Sequence, residues 1–417
     1  MLAYVPAALI LAGITAYTVL AGADFGAGLW TLLAAGGRAS VTATRDHARH
    51  AMGPVWEANH VWLIFVLVVC WTSYPVAFAS IVSTLAAPLL IAAIGIIFRG
   101  AAYALRGLGG RVELLFALSS LLTPFALGTV VGAVATGRVP VGNASGGLLS
   151  SWLAPAPVVI GVGAVAFSGY LAAVYLAADA RRLSQRPLES DFRSRALVAG
   201  LVSGGLALAG LFTLRPSVDM THGSALAMVI VSGCAGVATM ALCWSRWFGL
   251  ARLTAALAVA AVVIGWALEQ TPRFLPGLTV TQAAAGRSTL IAVIIAVCCG
   301  SVALVPSLAL LFGLFLRGRL DESAAHEAAP SEVAPSGAVP SGAVPSGAVP
   351  SGAVPAPLGP ARKRTVSGRV AGGFAAACLI AGSGLLVFSD AAWAHALGVA
   401  CFVGCAVVAF GLAAERG

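Results

Sequence analysis

The sequence predicts an all-α polytopic membrane protein with about eleven membrane spans. Of its 417 residues, 59% are apolar and only 9% are charged, whereas about a quarter of the residues in a soluble domain are charged. Apolar runs of about twenty residues recur along the chain, and each is long enough to cross a hydrocarbon core as a helix. A transmembrane β-barrel would instead alternate apolar and polar residues.

The apolar runs and the basic residues between them predict the topology. The predicted spans are residues 4–34, 54–73, 76–98, 112–136, 156–180, 195–213, 223–245, 252–269, 288–316, 370–389 and 392–413. Most of the 24 Lys and Arg residues fall in alternate loops, which is the pattern of the positive-inside rule. We therefore expect the N-terminus outside and the C-terminus inside. This distribution also argues against a nucleic-acid partner, despite the net charge of +9.

A change in composition divides the chain into three predicted parts. Residues 1–318 hold nine of the spans, and residues 369–417 form an appended transmembrane hairpin of two helices. Between them, residues 319–368 contain the repeated pentapeptide Ser-Gly-Ala-Val-Pro. Proline at every fifth position, with glycine and serine nearby, predicts a disordered linker that is partly polyproline II.

The first span carries a carboxylate among small residues. Gly22 and Gly26 form a small-xxx-small pair, which lets another helix approach closely, and Asp24 lies between them. An ionisable group in a span is costly and is a functional-site hypothesis by default. Asp24 is predicted to lie about ten residues, or roughly 15 Å, from the cytoplasmic end of the span.

The second span begins with an unusual density of polar and aromatic residues. Residues 53–62 are Gly-Pro-Val-Trp-Glu-Ala-Asn-His-Val-Trp, and proline after glycine is typical of a helix start. The side chains that can act there are Trp56, Glu57, Asn59, His60 and Trp62. The predicted topology puts Glu57 about one turn from the cytoplasmic surface, in the same half of the membrane as Asp24.

Three interpretations of the two acids follow from their chemistry. Carboxylates in a low dielectric can alternate between charged and neutral forms, as a proton path requires. They could instead form a metal or cation site, for which His60 is the obvious further ligand, or a structural pair neutralised by hydrogen bonds. Arg99, at the end of the third span, could pair with an acid or extend to the headgroups.

The histidines predict no haem ligand in this chain, and a metal site would need more ligands than the obvious His60, so that no metal is expected. A membrane b-type cytochrome usually needs paired histidines on facing helices. Of the six histidines, only His60 and His395 lie well inside apolar segments. His47 and His50 belong to a basic loop, where we expect them to be solvated.

Four motifs resemble those of subunit II of the cytochrome bd-type quinol oxidases. They are residues 22–28 (Gly-Ala-Asp-Phe-Gly-Ala-Gly), 53–64 (the segment above followed by Leu-Ile), 98–103 (Phe-Arg-Gly-Ala-Ala-Tyr) and 265–272 (Gly-Trp-Ala-Leu-Glu-Gln-Thr-Pro). In the last motif, Thr271 replaces an aromatic residue of the family. The likeness covers roughly residues 1–318.

The resemblance implies a fold, a partner and a reaction. The fold would be two four-helix bundles plus one helix, in a bacterial cytoplasmic membrane. The partner would be a haem-bearing subunit I in a heterodimer, which carries haem b, haem d and the quinol site, so that this chain binds no haem. The complex would oxidise quinol and reduce dioxygen to water with protons from the cytoplasm. Some members of the family also hold a structural quinone in this subunit, and a small accessory subunit is a further candidate partner.

The resemblance also implies roles for the two acids. In the family, acids at the positions of Asp24 and Glu57 are associated with a proton route toward the oxygen-reducing haem. Trp56, Asn59, His60, Trp62, Arg99, Gly22 and Gly26 would then support that route by polar contacts or packing. The alternatives are a proton- or cation-coupled secondary transporter and a purely structural scaffold subunit.

Overall fold

The computed structural model describes residues 1–52, 56–104, 110–214, 219–316 and 377. Some side chains within these ranges, including those of Trp56 and Glu57, lie outside the description. All the helices described below belong to one compact unit, Met1–Ser331. The predicted linker and almost all of the predicted C-terminal hairpin lie outside the described residues.

Helices make up nearly all of the described structure. In chain order the elements are α1 (Tyr4–Leu32), α2 (Val41–Met52), α3 (Trp56–Ser73), α4 (Pro75–Thr84), α5 (Ala86–Ala104), α6 (Gly110–Ala135), α7 (Pro155–Arg182), α8 (Arg186–Leu214), α9 (Gly223–Trp244), α10 (Phe248–Gln270), β1 (Arg273–Leu275), β2 (Leu278–Thr279), α11 (Val280–Ala283) and α12 (Arg287–Leu316). The two strands pair antiparallel in a short hairpin. The predicted all-α class is therefore confirmed, with this hairpin as a small addition.

The apolar helices correspond to the first nine predicted spans. Among the described residues, α1, α6, α7, α8, α9 and α10 are long and apolar enough to cross a membrane. Two shorter apolar stretches, Ala58–Ser73 and Arg287–Val302, lie in α3 and α12. The exact number of spans and their orientation stay predictions.

The third predicted span is broken into two helices. The axes of α4 and α5 differ by 82°, and α4 ends at Thr84. Pro88 explains the break, because proline has no N–H and its ring clashes with the carbonyl four residues earlier, which is that of Thr84. The predicted span over residues 76–98 is therefore bent in the structure, and whether it crosses the membrane as one span stays a prediction.

Helix α7 is the central element of the packing. It contacts α1, α6, α8 and α10, while α1 also contacts α3 and α6. The largest buried cluster lies along α7 and includes Leu171, Val174 and Leu176, with Phe192 from α8. The arrangement as two four-helix bundles plus one helix stays a prediction.

Helix α2 occupies a segment that was predicted to be a solvated basic loop. His47 is buried, and its Nε2 lies 3.1 Å from the carbonyl oxygen of Leu176 on α7. His50 is exposed, as predicted. The prediction for His47 was wrong because α2 packs against α7 and turns one of its faces inward.

Helix α8 begins at Arg186, well before the predicted start of the span at residue 195. Its first turn carries Glu189, a buried carboxylate that lies 3.3 Å from Arg181 of α7 and 3.4 Å from Arg246 after α9. This one acid therefore joins three neighbouring segments at the same end of the helices.

Candidate functional site

A buried ion pair joins Asp24 on α1 to Arg99 on α5. Both side chains are fully buried. Arg99 Nη2 lies 2.7 Å from Asp24 Oδ1, and Arg99 Nε lies 3.1 Å from Oδ2, so that the contact has two points. Nη2 also donates to the backbone carbonyl oxygen of Asp24 at 2.6 Å. Of the two possibilities that the sequence left open for Arg99, the structure has the pairing with an acid.

The third nitrogen of the guanidinium is held by α6. Arg99 Nη1 donates to the hydroxyl of Ser120, which donates to the carbonyl oxygen of Phe116 at 2.5 Å. The guanidinium carbon also lies 4.4 Å from the centroid of the Phe116 ring and 5.1 Å from that of Phe25. Such cation–π contacts are stronger where water is excluded, so Arg99 is bound by charge, hydrogen bonds and aromatic faces together.

Glycines of α1 provide the space for this arrangement. A Cβ atom at Gly28 would overlap the Ser120 hydroxyl and would lie 3.0 Å from Arg99 Nη1. A Cβ at Gly26 would overlap the carbonyl of Ser168 on α7, whereas a Cβ at Gly22 would have Leu171 Cδ1 as its nearest neighbour at 3.4 Å. Gly26 thus lies where α1 and α7 approach most closely, and Gly22 lies at an ordinary packing distance.

The polar start of α3 packs beside the same part of α1. Asn59 is buried, and its Nδ2 lies 3.4 Å from the carbonyl oxygen of Leu20. The His60 ring contacts Tyr17 and Phe25 edge-on, with centroids 6.0 and 5.9 Å apart. Since Phe25 also contacts Arg99, the ring of Phe25 connects the surroundings of His60 to those of the ion pair.

The start of α3 also carries two tryptophans and an acid, which are Trp56, Trp62 and Glu57. Trp62 is partly buried and packs against the cluster of Tyr17, Ala21 and Phe25. The backbones of Trp56 and Glu57 form the first turn of α3, but their side chains lie outside the described residues. The structure therefore brings Asp24 together with Arg99, and the place of the Glu57 carboxylate stays a prediction.

The chemistry of the site is that of a compensated charge pair. Within the described ranges, no group of three or more His, Cys, Asp or Glu side chains is placed to hold a metal ion. Taking two ions out of water costs several kcal/mol each, and only close contacts with full hydrogen bonding recover that cost. Because Asp24 and Arg99 make such contacts, the site can keep two charges inside the membrane-spanning core.

Sequence reasoning missed Ser120, Phe116 and Phe25 as parts of this site. Their signal was weak, since Ser119 and Ser120 are adjacent polar residues in an apolar span and phenylalanine is ordinary there. Only the packing of α5 against α6 shows that Ser120 faces the guanidinium.

Comparisons with known proteins agree with this fold. The family model described as cytochrome bd terminal oxidase subunit II matches residues 2–315. A chain of the bd oxidase structure from Geobacillus thermodenitrificans is similar with a TM-score of 0.63 and 24% sequence identity, over 76% of this chain and 98% of that chain. At this identity the likeness shows the fold. No curated protein is significantly similar in sequence.

Proposed function

Because the chain belongs to the family of cytochrome bd terminal oxidase subunit II, we propose that it is the non-haem subunit of a quinol:dioxygen oxidoreductase, in which it supports a haem-bearing subunit I. The chain is a multi-pass bacterial membrane protein of that family. The quinol site, haem b and haem d belong to subunit I in this proposal.

The second part of the proposal is a proton path from the cytoplasmic side that involves Glu57 and Asp24. The observation that carries it is the fully buried Asp24 carboxylate in the C-terminal third of α1. An ionisable residue inside a span is rare and usually belongs to an ion or proton pathway. Asn59 and His60 add polar groups on the neighbouring face of α3.

The ion pair suggests different tasks for the two acids. The Arg99 guanidinium lies 2.7 Å from the Asp24 carboxylate, and a buried charge that lost its partner would be costly. We therefore assign to Asp24 and Arg99 a fixed pair of charges that orients exchangeable groups near the path. Glu57, on the first turn of α3, is the acid that we assign to taking up and releasing the proton.

The Asp24–Arg99 contact also favours a second candidate function, in which the pair is purely structural and the subunit is a scaffold. The scaffold and the proton path differ in the property that a neutral substitution of an acid would change. A scaffold variant would lose subunit I or its haems, whereas a proton-path variant would keep both and reduce oxygen more slowly.

The test is the rate of oxygen consumption with quinol by the purified complex. Glu57→Gln should lower this rate by roughly tenfold or more, since a positioned proton-transfer group typically contributes at least that much. Asp24→Asn should lower it as well, because it removes the fixed negative charge beside the path. Copurification of subunit I and the haem absorption spectrum, measured on the same samples, report assembly.

Glu113→Gln is the matched control. Glu113 lies in the first turn of α6 and forms exposed ion pairs with Arg45 and Arg49 of α2, so its neutralisation should leave the rate unchanged. Normal rates in both Asp24→Asn and Glu57→Gln would remove the proton path from the proposal. Loss of haem in Glu57→Gln would instead favour the scaffold, whereas loss of haem in Asp24→Asn alone would follow from the unpaired Arg99 charge.

A further inference from the structure

A polar cavity lies at one end of the helices, apart from the Asp24–Arg99 pair. Its volume is about 510 Å³, and it is bounded by the segment after α1, the first turns of α8 and the end of α9. Gly36, Gly37 and Arg38 form one wall, Asp191 and Arg193 lie on α8, and Trp244 closes the side at α9.

The cavity carries more positive than negative charge. Arg38 Nη1 lies 3.2 Å from the hydroxyl of Ser190, and the Arg193 guanidinium carbon lies 5.5 Å from the Trp244 ring. Among the residues that the structure describes, neither arginine forms an ion pair with a carboxylate. The one acid of the lining, Asp191, is buried and accepts the backbone N–H of Ala39 at 2.8 Å. The lining therefore holds two arginines and one carboxylate, which is already hydrogen-bonded.

The cavity continues into an apolar surface. Leu197 of α8 lines it, and the next turns of α8 carry the exposed residues Val198 and Leu201. Trp244 is 68% exposed at the end of α9, and tryptophan is enriched where a membrane meets water. The positively charged part thus lies beside an exposed tryptophan and next to an apolar surface suited to acyl chains.

We propose that this cavity binds an anionic glycerophospholipid of the leaflet that the positive-inside rule identifies as cytoplasmic. The phosphate group lies between Arg38 and Arg193, and the acyl chains extend along Leu197, Leu201 and the Trp244 ring. Arginine is well suited to this role because its guanidinium donates several hydrogen bonds to phosphate oxygens. The inference rests on the cavity and its charges, and it is independent of the proton path.

Native mass spectrometry of the purified complex with its partner subunit tests the proposal. The complex is titrated with dioleoylphosphatidylglycerol and, in parallel, with zwitterionic dioleoylphosphatidylcholine. The first phosphatidylglycerol should bind more tightly than phosphatidylcholine. Arg38→Gln and Arg193→Gln should each weaken its binding by about five- to tenfold, as expected for one basic contact to a phosphate.

Arg186→Gln serves as the control, because Arg186 is an exposed arginine on the first turn of α8 that does not line the cavity. The Arg186→Gln complex should bind phosphatidylglycerol as tightly as the unmodified complex does. Equal binding of the two lipids, or unchanged binding in both cavity variants, would overturn the proposal. Binding of inorganic phosphate that both cavity variants weaken, without any preference for phosphatidylglycerol over phosphatidylcholine, would also overturn it, since the cavity would then be a site for free anions.

Discussion

At the scale of single residues, the Asp24–Arg99 pair places two charges in the buried core of the described structure. Each member is fully buried, so each depends on the other to offset the cost of leaving water. Ser120 and the Phe116 and Phe25 rings complete the surroundings of the guanidinium. The pair should therefore behave as a unit, and removing one member should cost more than removing both.

Arg99→Met tests this coupling. It should lower the free energy of unfolding by about 3–5 kcal/mol, because it leaves the Asp24 carboxylate buried without its guanidinium. Asp24→Asn combined with Arg99→Met should be more stable than Arg99→Met alone, as the unpaired charge is gone. Denaturant titration of the purified complex in mild detergent measures the free energy of unfolding of each variant. Additive effects of the two substitutions would contradict the coupling.

At the scale of elements, the close approach of α1 and α7 depends more on Gly26 than on Gly22. A methyl group at Gly26 would overlap the Ser168 carbonyl and would lie 2.7 Å from Ala172 Cβ, so that the helices would have to separate. At Gly22 the nearest atom, Leu171 Cδ1, would be 3.4 Å away, at the edge of ordinary contact. The two positions of the small-xxx-small pair therefore differ in their tolerance.

Gly26→Ala should destabilise the subunit by about 1–3 kcal/mol, the usual cost of overpacking, and should lower the thermal midpoint of the complex. Gly22→Ala is the matched substitution on the same helix and should shift the midpoint little. A larger effect at Gly22 than at Gly26 would show that α1 and α7 pack differently from this structure.

A second prediction at this scale concerns Glu189, the carboxylate shared by Arg181 and Arg246. Glu189→Gln should cost about 1–2 kcal/mol of unfolding free energy, because the acid is only 6% exposed but both arginines are about half exposed and screened. Glu113→Gln, at an acid 40% exposed, should cost less than about 1 kcal/mol. Equal costs in the denaturant titration would count against the joining role of Glu189.

At the scale of the whole molecule, hydropathy predicted the class and the approximate positions of the helices. It could do so because a span must be long and apolar to cross the hydrocarbon core. Hydropathy could not reveal α2, because the charged residues of this helix lower its average hydropathy although one of its faces packs on α7. The break between α4 and α5 did have a local signal in Pro88, but the apolar run across it favoured one continuous span.

The candidate site was only partly predictable for a similar reason. Asp24 and Arg99 stand out in the sequence because charges are rare in spans. Their contact depends on how α1, α5 and α6 pack, and residue spacing does not encode the distance between helices that are far apart in the chain. The sequence therefore left two possibilities for Arg99 open. The family resemblance was specific enough to be confirmed by the match over residues 2–315.

The central claim is that protons for oxygen reduction pass through Glu57 of α3, beside the fixed charges of Asp24 and Arg99. The most direct measurement is the ratio of oxygen-consumption rates in H₂O and D₂O for the unmodified complex and for Glu57→Gln with its haems intact. If Glu57 delivers protons, its loss should slow turnover and raise this ratio, because proton transfer then limits the rate. An unchanged rate together with an unchanged ratio would contradict the claim.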